Sequence, residues 1–162
     1  MQFLPMKSPL AIAAFALVAA AAQAQVPQYG ANINHEMARK TLAGAIAESR
    51  KQGLPMAVAI VDNAGQLVAF ERMDNTQTGS IAVSQDKAVS AAMYRRSTKV
   101  FQDAVAGGGA GLRVLTLRGA NAVEGGLPIV VDGKIIGAIG VSGGSAEQDG
   151  VIAKAGLDAV AK

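Results

Sequence analysis

Apolar positions recur in this chain first at helical spacing and then in short unbroken runs, and the change of period lays out the fold. Met37, Leu42, Ala45, Ile46 and Ser49 share one face of a helix expected over residues 34–52. Gly53 serves as its C-terminal cap and Pro55 cannot continue it. Residues 56–62 and 66–72 are two apolar runs joined by Asn63-Ala64-Gly65, which predicts a β-hairpin. A loop over 73–79 follows. Ser80 is then expected to cap a helix reaching Arg96, with Ile81, Ala88 and Ala92 on one face and Arg95 and Arg96 at its cation-favouring end.

Residues 98–106 read as a further short helix, and Gly107-Gly108-Gly109-Ala110-Gly111 as a mobile surface loop. Residues 127–131 and 134–142 flank Asp132-Gly133, the strongest short hairpin signal in the chain. Ser145-Ala146-Glu147-Gln148 is a capping box opening a last helix that runs to the C-terminus. The expected order is α, β, β, α, α, β, β, α, with a fainter strand at residues 119–123. Tight hairpins with helices between them predict an α+β domain built on an antiparallel sheet.

The N-terminus adds a second message. Lys7, an apolar run over residues 10–22 and Ala22-Gln23-Ala24 form the three parts of a cleavable secretory signal, expected to span residues 1–24. The run is too short for a membrane span. One domain over residues 25–162 remains, and loss of Lys7 lowers the formal charge from +3 to +2. That balance offers no electrostatic footprint for nucleic acid. The expected location is periplasmic or secreted, yet the chain has no cysteine and draws nothing from disulfides.

Chemistry is sparse. Gly140-Val141-Ser142-Gly143-Gly144 fits G-x-S-x-G, but it follows a hairpin strand, and the only histidine, His35, lies upstream where a nucleophile elbow needs it last. The same glycines ahead of a helix start point instead to a backbone site for carboxylate or phosphate, or simply to a turn. Glu147 and Asp149 already complement the helix dipole and weaken the anion reading. His35 is either a solvated surface side chain or the single axial ligand of a haem, held without covalent linkage because C-x-x-C-H is absent. Multi-histidine zinc or iron sites are excluded.

The four aromatic residues of residues 25–162, Tyr29, Phe70, Tyr94 and Phe101, are thin for enclosing a flat ring, so a site shared between subunits is the easier construction. Arg72-Met73-Asp74 and Asp86-Lys87 default to exposed ion pairs of little energetic weight. Converging at a cleft mouth, Arg72 and Lys87 would hold a ligand's carboxylates.

Gly53-Leu54-Pro55, Val61-Asp62-Asn63-Ala64-Gly65, Arg72-Met73-Asp74, Lys87-Ala88, Gly125-Gly126-Leu127-Pro128, Asp132-Gly133, residues 137–144 and Gln148-Asp149 occur in an order and spacing that closely resembles the GlcG/HbpS family, also called the haem-degrading or PduO C-terminal-like domain. The resemblance covers nearly all of residues 25–162. It implies a profilin-like antiparallel sheet of about five strands flanked by helices, usually in a homo-oligomer, and it makes residues 119–123 the expected fifth strand. Arg72, Asp74, Lys87, Ser142, Gly143 and Gly144 match the family's recurrent polar positions. The acidic D/E-x-x-E pairs of some haem-binding relatives are missing.

Three functions follow as expectations. The first is an exported haem-binding protein assisting haem uptake or breakdown, with His35 or Tyr94 on the iron and Arg39 among the groups receiving propionates. The second is a protein for a small organic acid bound at residues 142–145. The third is an oligomeric accessory protein without a ligand. No catalytic constellation is legible; haem breakdown enters by resemblance alone.

Overall fold

The computed structural model describes residues 26–161. The expected signal segment, residues 1–24, lies outside the described residues. Local sequence accounts for most element boundaries. Helix α1 (His35–Gln52) starts where the Asn34 side chain accepts the Met37 amide, and it ends at Gly53, whose φ of 67° is the left-handed cap. Strands β2 (Ala57–Asp62) and β3 (Leu67–Arg72) form the first hairpin, where Asp62 Oδ1 accepts the amides of Ala64 and Gln66 at 2.9 Å each. Strands β4 (Gly126–Val131) and β5 (Lys134–Ser142) form the second. Asp132 and Gly133, with φ of 49° and 72°, supply the paired positive φ angles that a two-residue hairpin of matching twist needs. Helix α4 (Ala146–Asp158) opens with both halves of the Ser145/Gln148 capping box formed.

Between the hairpins lie α2 (Gly79–Tyr94), α3 (Thr98–Ala106) and a 3-10 helix (Gly109–Thr116). Strand β1 (Gln28–Tyr29) precedes α1. Three expectations need correction here. Residues 119–123 do not form a strand: Gly119 has φ 75°, and the Asn121 side chain accepts the Val123 amide, folding the backbone into a turn. The fifth strand is β1, which runs parallel to the start of β5 through Gln28↔Lys134 and Tyr29↔Ile135. The glycine-rich stretch also gains order, because Gly111 packs so closely on Ala104 that a Cβ there would overlap the Ala104 carbonyl, and Val114 is buried. Helix α2 begins one residue before Ser80 and stops before Arg95, whose φ of 54° breaks it.

Strand β5 is the middle of the sheet, bonded antiparallel to β2 on one side and to β4 on the other. Alternation along β2 and along β5 beyond the bulge at Ile136 produces two different faces. Val58, Ile60, Ile139 and Val141 meet Ala38, Ala45 and Ile46 of α1 and Ile152 and Ala153 of α4 in the larger core. Ala59, Val61 and Ala138 meet Ala88, Ala91 and Ala92 of α2 on the other side. The small side chains let α2 lie almost on the sheet backbone. At Gly140 a Cβ would overlap the Ser84 carbonyl and the Ala88 amide. Among the described residues no helix is long and apolar enough to cross a membrane.

Candidate functional site

The recurrent polar residues gather at one end of the sheet, and His35 stands at the other. Ala57 of β2 pairs with Arg72 of β3 and with Ser142 of β5, so Arg72 and Ser142 share one sheet end, with Asp74, Gly143 and Gly144 in the loops beyond. At the other end the chain enters α1 through Ile33, whose amide donates to the Ile136 carbonyl, two residues before His35. Six residue steps along β5 lead from Ile136 to Ser142, about 20 Å of strand.

At the Ser142 end the dominant feature is an ion pair sealed in the interior. Lys87, 1% exposed, donates from Nζ to Asp149 Oδ2 at 2.7 Å and to the Val141 carbonyl at 3.0 Å. Asp149 is 2% exposed, and its second oxygen accepts the Gly144 amide at 3.0 Å. Burial pushes the Asp149 carboxyl above its usual range, against the pull of Lys87 and of the glycine amides. The default of an exposed pair at Asp86-Lys87 is thus corrected: Lys87 faces inward, because its helix face also carries Ser80, Ser84, Ala88 and Ala91.

The neighbouring hydroxyls are equally committed. Ser142 Oγ lies 3.1 Å from Ser80 Oγ, both residues buried, which leaves no open position for a nucleophile. In the turn ahead of α4 the Gly144 amide serves Asp149 and the Ser145 amide serves Gln148 at 2.8 Å. Ser145 Oγ reaches Glu147 at 2.9 Å, and the Glu147 carboxyl is held below its usual range by its own amide and that hydroxyl. This backbone nest is occupied by the chain's own side chains. Arg72 and Asp74 are exposed at the rim and do not meet Lys87.

The accessible chemistry is on α1. His35, Glu36, Arg39, Lys40 and Ala43 line an open depression of about 430 Å³. Residues four apart stack along one helix face, so His35, Arg39 and Ala43 form a continuous stripe. Lys40 is paired with Glu36 at 2.7 Å and lowers its carboxyl, whereas Arg39 has no ion pair among the described residues. Tyr94 is elsewhere: it stands on α2, across the sheet from α1, with its hydroxyl donating to the Arg118 carbonyl at 2.7 Å and its ring edge-on to Phe101. His35 and Tyr94 therefore do not converge within one chain. Sequence reasoning missed the Asp149 partnership with Lys87. Lys87-Ala88 and Gln148-Asp149 stood among the matching motifs without a link between them, and nothing local separates a dipole-facing aspartate from a buried one.

Comparison with known proteins agrees with this architecture. A family model described as haem degrading protein HbpS-like matches residues 33–158. Protein GlcG of Escherichia coli strain K12 is 38% identical over 110 residues, 68% of this chain and 81% of GlcG. The crystal structure of Klebsiella pneumoniae protein ORFY is similar at TM-score 0.74 and 30% identity, over 82% of this chain and 92% of that one. PduOC, solved as a haem complex, gives TM-score 0.72 at 27% identity, over 80% of this chain and 95% of that one. A family model spanning most of the chain, with GlcG and ORFY alike in sequence and ORFY and PduOC alike in fold, establishes that this chain belongs to the HbpS-like family.

Proposed function

We propose that this chain is an exported, homo-oligomeric haem-binding protein, with His35 as the axial ligand of the iron and Arg39 receiving a propionate. The observation that carries the reading is the His35–Arg39–Ala43 stripe lining the open depression on α1. An exposed imidazole supplies a nitrogen ligand, a guanidinium free of ion pairing among the described residues supplies a carboxylate partner, and Ala43 adds apolar surface one turn on. Bound haem would contribute an iron centre to the site; the chain contributes ligation, charge neutralisation and shielding. The depression is open to solvent, so a second copy laid over α1 would shield a bound haem from water. The haem complex of PduOC, a protein of the same fold, supports the ligand class. The signal-like sequence of residues 1–24 supports export.

An absorbance titration of residues 25–162 with haemin tests the reading. The wild type is expected to give a saturable Soret shift, His35→Ala to abolish it, and Arg39→Ala to weaken affinity about tenfold, as loss of one charge-assisted hydrogen bond does. An identical spectrum and affinity for His35→Ala would remove His35 from the site.

A further inference from the structure

A second surface, remote from the depression on α1, has its own chemistry. Residues 104–123 contain no Asp, Glu or Lys, and their only charges are Arg113 and Arg118. The 3-10 helix within this stretch has three residues per turn, which places Leu112 and Leu115 on one side. Val114 points inward at 7% exposure, whereas Leu115 is 67%, Leu112 48% and Leu117 40% exposed. The hydrogen bond from Tyr94 to the Arg118 carbonyl brings the end of α2 alongside, with Arg95 above the Tyr29 ring at 5.5 Å and Arg96 above Phe101 at 5.7 Å. The nearby carboxylates do not balance these arginines: Asp103 and Glu124 lie 2.8 and 3.8 Å from Lys99, and the exposed Asp86, in a depression with Gly119 and Asn121, is a single acid against four guanidiniums.

Three outward leucines flanked by four guanidiniums make a ridge that is apolar at its crest and cationic at its sides. A two-fold contact between copies would set these arginines against their own equivalents without an acid in residues 104–123 to compensate. An anionic bilayer surface complements both features, because leucines enter the boundary between headgroups and acyl chains while arginines stay at the level of the phosphates. We propose that this ridge docks the protein peripherally on an anionic lipid surface, leaving the α1 depression on the other side of the sheet free.

Vesicle flotation of residues 25–162 tests this, with phosphatidylcholine vesicles prepared with and without phosphatidylglycerol. The protein is expected to float with the anionic vesicles and to be released by salt. Leu115→Glu is expected to weaken partitioning at least about tenfold, and the Arg113→Gln/Arg118→Gln double variant about 25-fold at low salt, at roughly fivefold for each arginine. All three positions are exposed, and an unchanged circular dichroism melt will show that the fold is intact. Failure of the wild type to float overturns the proposal, as does flotation unaffected by Leu115→Glu. A drop in oligomer mass by light scattering in Leu115→Glu, without wild-type flotation, would overturn it in favour of a contact between copies.

Discussion

Removing the Asp149 carboxylate is the most informative single change to the fold. In Asp149→Ala the Lys87 ammonium, 1% exposed, keeps only the Val141 carbonyl at 3.0 Å. The Gly144 amide loses its acceptor as well. Breaking one side of a buried pair costs about 3–5 kcal/mol, because the remaining charge is desolvated and unpaired. A domain of this size has a total stability of roughly 5–15 kcal/mol. At about 3 °C per kcal/mol, the melting temperature should fall by roughly 10–15 °C. Replacing both partners with apolar residues, Lys87→Met with Asp149→Leu, removes the unpaired charge and should recover most of that loss. Circular dichroism melts and urea unfolding of the two single variants and the double variant give the coupling directly. The pH profile adds a check of sign. Burial raises the folded carboxyl of Asp149 above its ordinary value of 3.8, so the folded chain binds that proton more tightly than the unfolded one. Its contribution to stability is then full below that value and is lost as pH rises through the folded value, a slope that Asp149→Asn should remove. A cost under about 1 kcal/mol for Asp149→Ala would refute the reasoning, since the ammonium would then have reached water.

Gly140→Val should destabilise by more than about 3 kcal/mol or prevent folding, because its side chain would overlap backbone atoms of Ser84 and Ala88; urea unfolding measures it. Ser145→Ala removes the oxygen that accepts the Gln148 amide at 3.3 Å and should cost about 1 kcal/mol by thermal melting, without altering haemin titration.

Much of the architecture was legible locally. The 3.6-residue period and caps bounded α1, the Asp132-Gly133 dipeptide fixed the second hairpin, and Ser145 with Gln148 announced α4, because each signal lies within a few residues of the structure it dictates. The same local reasoning offered residues 119–123 as a faint strand, which the family resemblance then strengthened, and read residues 107–111 as a loop, since it weighed glycine as flexibility and not as permission for close approach.

Sequence by itself therefore determined the α+β class, the order of the main elements, the family and the identity of the single imidazole. Tertiary structure alone decided that a two-residue segment, Gln28–Tyr29, completes the sheet by pairing with residues more than a hundred positions later. It also decided that Lys87 and Asp149, 62 residues apart, seal each other inside, while His35 and Arg39 remain open to solvent at the opposite end of the sheet. The physical reason is one of range: periodicity and capping act within a helical turn, but burial of a charge depends on how α2 and α4 dock on the two faces of β5.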